Sequence, residues 1–109
     1  MVTIRRPGRD ATVVAWGQTV NDCLAVAEAW SERGVDVEVL EVGSSVLLDD
    51  VAVLASVART KNAVVVGVAP ELVCRIHEEL FSELEHAVAR VPAGAGRADV
   101  DAALRRLFA

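Results

Sequence analysis

The sequence predicts an α/β protein, a three-layer α/β/α sandwich with helices on both faces of one sheet. Three observations predict it. Short β-branched apolar runs alternate with longer stretches of helical periodicity along the whole chain. The central runs are apolar at consecutive positions, the pattern of strands covered on both faces. Hydrophobic residues make up 53% of the 109 positions, enough for the core of one domain. Residues 1–109 read as that single domain, without a repeat, a low-complexity tract or a dividing linker.

The elements follow in order. Val2-Thr3-Ile4-Arg5 alternates weakly and suits a short first or edge strand, and Arg6-Pro7-Gly8-Arg9-Asp10 carries turn chemistry. Ala11-Thr12-Val13-Val14-Ala15-Trp16 is a central strand ending at Gly17. From Thr19, Val20, Cys23, Leu24, Ala27 and Trp30 recur at helical spacing, and Gly34 is placed to end that helix in a left-handed conformation. Val35, Val37 and Val39 alternate with Asp36, Glu38 and Leu40, which predicts a more one-sided second core strand over 35–40. After a connection over 43–48, Asp49 or Asp50 is expected to cap a helix with Val51, Leu54, Ala55 and Ala58 inward.

Lys61-Asn62 closes that helix before the most hydrophobic strand, Ala63-Val64-Val65-Val66-Gly67-Val68. Pro70 suits a first helical position, and Leu72, Val73, Ile76, Leu80 and Leu84 form the next stripe. A shorter strand over Ala87–Val91 leads through Pro92-Ala93-Gly94-Ala95-Gly96 to a last helix behind Asp99, with Val100, Ala103, Leu104, Leu107 and Phe108 facing in. Right-handed crossovers make most of such a sheet parallel.

Composition also excludes function classes. A net charge of −5, with no basic cluster beyond Arg5, Arg6 and Arg9, disfavours nucleic-acid partners. No apolar run reaches the roughly 18 residues of a membrane span, and the N-terminal arginines lead into a strand, not a signal peptide. Cys23 and Cys74 lie far apart and read as reduced, shielded thiols of a cytoplasmic protein.

Chemistry-bearing residues are sparse. His77 and His86 are nine apart, and neither cysteine sits at ligand spacing from them, so no metal residues are assigned. His77 lies opposite its helix's apolar stripe as an ordinary exposed histidine, and His86 follows the helix end, a position that favours an imidazolium. Cys74 has His77 at i+3, but Glu71 and Glu78 give no reason for an activated thiol. Gly17-Gln18-Thr19 lacks the glycines and lysine of phosphate loops, leaving only a helix start suited to a small anion. Catalytic and cofactor-binding residues are therefore assigned to none.

Trp16 differs, because it ends a central strand at the carboxyl edge, where α/β domains place ligands and contacts. Trp16, Gly17, Gln18, Thr19 and Val68 form the candidate interface, with burial of Trp16 inside the domain as the alternative.

Five segments, taken together, resemble one family. Asp10-Ala11-Thr12-Val13-Val14-Ala15-Trp16-Gly17, Thr19 to Ala27, Gly34 to Leu40, Leu48-Asp49 and Ser56-Val57-Ala58-Arg59-Thr60 occur in the order of the C-terminal domain of transketolase-like thiamine-diphosphate enzymes. The resemblance is nearest to the beta subunit of the 2-oxoacid dehydrogenase E1 component. It implies a mixed five-stranded sheet with one antiparallel strand, the first in the chain.

Two departures accompany the resemblance. Where the family's second strand runs into Asp-Leu-Arg, this chain has Glu41-Val42-Gly43, and the family's His-Glu and glycine-rich loop are replaced by Gly67-Val68-Ala69-Pro70. The resemblance implies that thiamine diphosphate and Mg²⁺ are held by other domains, in a partner chain, and that this chain alone binds neither and is not catalytic. The implied role is that of a stand-alone subunit giving structural and assembly support in a split enzyme. The alternative is a homo-oligomeric, non-catalytic binding or regulatory module built on the same domain.

Overall fold

The structure is a computed structural model that describes residues 2–43, 50–67, 69–92 and 94–108. Its elements in chain order are β1 (Val2–Arg6), β2 (Ala11–Ala15), α1 (Thr19–Ser31), β3 (Val37–Val42), α2 (Asp50–Thr60), β4 (Ala63–Val66), α3 (Pro70–Leu80), β5 (Ala89–Val91) and α4 (Arg97–Phe108). They form one five-stranded sheet of order β1-β3-β2-β4-β5. β1 is antiparallel to β3, and every other pairing is parallel. The predicted sandwich and its single antiparallel strand are both present.

Each face of the sheet has its own core. Ala11, Val13 and Ala15 of β2 point with Val37, Val39, Val64 and Val66 toward α1 and α4, meeting Val20, Cys23, Ala27, Trp30, Val100 and Leu104. Val14, Leu40, Val65 and Ala63 point the other way, onto Val53 and Val57 of α2 and Leu72, Ile76 and Leu80 of α3. β2 is wholly buried because it lies at the sheet centre with a helical layer on each side.

The structure departs from the sequence reading in four places, for physical reasons. β3 begins at Val37, not Val35, and is covered on both faces, so Glu38 lies in the interior at 2% exposure. On α2 the inward face carries Val53, Ser56, Val57 and Thr60, while Val51 and Ala55, both expected inward, are exposed; Leu54 and Ala58 sit at the flank. The stripe is rotated because two hydroxyl residues turn inward to meet Thr12 and Glu38.

Asp50 lies inside α2 and pairs with Arg75 of α3 at 3.3 Å, which ties the two helices together. Asp49, the other cap candidate, lies outside the described residues. α3 ends at Leu80, and Leu84 packs on the core from the following turn; β5 is confined to 89–91. At the other end of the chain, Gly8 passes so close to β3 that a Cβ there would stand 2.4 Å from the Glu38 nitrogen, which only glycine allows.

Candidate functional site

The carboxyl edge of the parallel strands gathers the residues singled out from the sequence. β2 ends at Ala15, so Trp16 stands at the rim, half-buried, with its ring against the core on the α2–α3 side. It rests on Gly67, which follows β4. A Cβ on Gly67 would meet Cε3 of Trp16 at an ordinary 3.4 Å contact, and it is the φ of +111° that suits glycine there. Gly17, with φ +55°, turns the chain into α1, and Gly17 and Gln18 are exposed while Thr19 is half-buried. The structure therefore brings Trp16, Gly17, Gln18 and Thr19 to one rim. Val68, the fifth candidate, lies outside the described residues.

The Thr19 hydroxyl and the first amides of α1 are engaged within the chain. The Thr19 hydroxyl donates to the Trp16 carbonyl at 2.6 Å. The amides of Thr19, Val20 and Asn21 donate back to the carbonyls of Trp16, Gly17 and Gln18. An anion at the start of α1 depends on free amides, and these three are already bonded. Glu41, where the family pattern carries Asp-Leu-Arg, receives the Arg5 guanidinium at 2.7 Å and so locks β1 to β3. Beside the rim, Asp50, Pro70, Glu71, Cys74, Arg75 and Glu78 line an open groove of about 530 Å³.

The cysteines divide. Cys23 is buried in the α1 core, and burial, reinforced by the charge of Asp22, pushes its thiol up to about 12, where it is chemically inert. Cys74 is exposed, contrary to the expected shielding of both. It faces away from the Val73–Ile76–Leu80 stripe and lines the outer groove.

The histidines are placed more specifically than as bare surface groups. His77 is half-buried and its Nε2 accepts the Val88 N–H at 3.2 Å, while Nδ1 of the exposed His86 meets Oδ1 of Asn62 at 2.9 Å. Trp30 is core, as its stripe position implies. Its indole N–H donates to Asp101 at 2.8 Å, Arg33 lies 4.6 Å over its ring, and Phe108 stands 6.2 Å away.

Sequence reasoning missed a buried polar chain at the opposite, amino edge of the strands. The Glu38 carboxylate accepts the Gly8 N–H at 3.0 Å, the Ser56 hydroxyl at 2.7 Å and the Arg59 guanidinium at 2.7 Å. Thr12 joins Ser56 and Thr60, and Thr60 donates to the Asn62 carbonyl. Asn62 in turn donates to the Asp10 carbonyl and the Glu85 carboxylate. The signal was available, because a glutamate inside a valine run must be buried with partners if both sheet faces are covered. Asp10, Thr12, Glu38, Ser56, Arg59 and Thr60 all lie in segments that carry the family resemblance.

The rim thus presents a half-buried indole beside an exposed turn, with Glu41 and Asp50 held by arginines. Comparison with known proteins gives this scaffold its place. Residues 1–98 match the family model of the transketolase C-terminal domain, and the chain belongs to that family.

The chain is 36% identical over 95 residues to the Arabidopsis thaliana mitochondrial pyruvate dehydrogenase E1 component subunit beta-1, covering 81% of this chain and 26% of that protein. It is 38% identical over 95 residues to the pyruvate dehydrogenase E1 component subunit beta of Leifsonia xyli, covering 81% and 28%. The chain thus spans about a quarter of the length of the curated relatives it matches. Among solved structures, a split gene transketolase described as an inactive beta4 tetramer superposes with a TM-score of 0.79 at 23% identity, over 97% of this chain and 40% of that one.

The resemblance implies thiamine diphosphate with a divalent metal on other domains, and the described residues of this rim do not fit that group. A Mg²⁺-diphosphate site needs several free oxygen ligands. At this rim Thr19 is bonded to its own backbone, while Glu41 and Asp50 are held by arginines. Among the described residues, no three His, Cys, Asp or Glu side chains converge as metal ligands.

Proposed function

We propose that this chain is an assembly domain of a split thiamine-diphosphate enzyme of the transketolase or 2-oxoacid dehydrogenase E1 beta type. It would act by packing against chains that carry the cofactor-binding domains, with the carbanion chemistry belonging to those partners. The observation that carries the reading is the contrast between the two edges of the sheet. The amino edge holds a buried, bonded polar network, whereas the carboxyl edge offers Trp16 against Gly67 with the Thr19 hydroxyl and the first amides of α1 bonded within the chain. Curated relatives are named as beta subunits of E1 components, which supports a role within an assembly. An aromatic, partly desolvated centre with a polar surround is the anatomy of a protein contact.

The second reading is a homo-oligomeric module without a thiamine-dependent partner. Loss of the Asp-Leu-Arg arginine and of the glycine-rich loop favours it equally. Both readings place the chain in the cytoplasm, a reducing setting that suits two free cysteines. The test is recovery of the native complex under mild conditions, followed by mass identification of its members. A co-purifying chain with thiamine-diphosphate-binding domains supports the first reading. Recovery of this chain alone, as an oligomer, supports the second and overturns the first.

A further inference from the structure

The two histidines bracket the segment that leads into the edge strand β5, and they hold it in opposite chemical senses. Val88 is buried, and its N–H donates to Nε2 of His77 at 3.2 Å. An imidazole accepts at Nε2 only when that nitrogen is unprotonated, so the ring proton sits on Nδ1. His86 is the reverse. The Asn62 amide nitrogen donates to the Asp10 carbonyl and to Glu85, which fixes Oδ1 as the acceptor facing Nδ1 of His86. His86 therefore donates, and it does so as a neutral ring or as a cation.

We infer that His77 is a pH-sensitive clasp on β5: charging its ring turns the acceptor of the Val88 N–H into a second donor and releases the lead-in segment, while the His86 tether persists. The ring is reachable, since His77 lines an open groove of about 260 Å³ with Phe81, Leu84, Glu85, His86 and Ala87. Of the charged groups, Glu85 and His86 line the same groove, and Glu78 and Glu79 follow His77 on α3. The neighbouring elements carry Lys61, whose carbonyl accepts the Glu85 N–H, and Arg90 on β5. Among the described residues none of the ion pairs involves His77. β5 is only three residues long, pairs with β4 alone and forms an edge of the sheet, so one anchoring bond is a large share of its lead-in. This inference does not depend on the thiamine-enzyme reading.

The test is ¹⁵N NMR with amide hydrogen exchange on the 109-residue protein between pH 8 and pH 5, corrected for intrinsic exchange rates. At pH 8 the His77 ring should show an unprotonated Nε2 and a protonated Nδ1. Protection of the Val88 amide should fall about tenfold as the ring charges, the equivalent of one lost hydrogen bond, while the Val13 and Val64 amides stay protected. His77→Gln, an acceptor that does not titrate, should abolish the response, and His86→Gln should retain it. Val88 protection that does not change with pH overturns the inference. So does an unchanged response in His77→Gln, a protonated Nε2 at pH 8, or loss of Val13 and Val64 protection in step with Val88.

Discussion

Replacing Glu38 with alanine tests whether the amino-edge network holds the sheet to α2. The substitution removes a carboxylate with 2% of its side-chain surface exposed, together with its bonds to Gly8, Ser56 and Arg59. The three partners lose unequally. Arg59 is half exposed and can turn to water, so its loss is small. The Gly8 N–H and the Ser56 hydroxyl are buried, and each is left without its acceptor at about 1–3 kcal/mol. Ser56 keeps its contact with Thr12, which places its share at the low end of that range.

The cavity left by the lost side-chain carbons adds to this, giving about 3–5 kcal/mol in total. Arg59→Ala should cost about 2 kcal/mol, because the buried carboxylate keeps its two neutral donors but loses the cation that offsets its charge. Urea unfolding followed by circular dichroism measures both, with the midpoint shifting and the slope unchanged. Where Glu38→Ala fails to fold, Glu38→Gln at about 2 kcal/mol preserves the comparison. The reasoning is refuted if Glu38→Ala costs under 1 kcal/mol, or if Arg59→Ala costs as much as Glu38→Ala.

Two further outcomes follow from the same structure. In the native protein at pH 8, iodoacetamide should modify Cys74 quickly and leave Cys23 intact, because Cys74 is exposed while the buried Cys23 thiol is pushed up to about 12; mass mapping of the alkylated peptides checks this, and equal labelling would contradict it. The Asp101 carboxyl is held below its ordinary value by hydrogen bonding from Arg105 and then from Trp30. A depressed folded-state value means that its contribution is complete above the unfolded value near 4 and is lost as pH falls through the lower one. Wild type should therefore lose part of its stability below about pH 4, and Asp101→Asn should lose less over the same interval; parallel acid-unfolding curves would contradict that.

The fold was legible because the periodicities of β2, α1, β4, α3 and α4 are set by burial alone, and burial leaves an apolar signature. Where polar residues turn inward, that signature fails. Ser56 and Thr60 displaced the predicted stripe on α2, and Glu38 hid the two-sided burial of β3. The histidines were legible as positions but not as roles, because the bond from Val88 to His77 depends on how the chain returns after α3. Trp16 was located from strand polarity.

The central claim is that the Trp16 rim is a protein contact, and sedimentation of wild type beside Trp16→Ala tests it most directly. Circular dichroism serves as the folding control, and Gln18→Lys, at an exposed position, is a second variant that leaves the Trp16–Gly67 packing in place. The account predicts that wild type sediments as an assembly, with itself or with a recovered partner, and that both folded variants dissociate. A wild-type monomer with no recoverable partner, or folded variants that stay assembled, would contradict it.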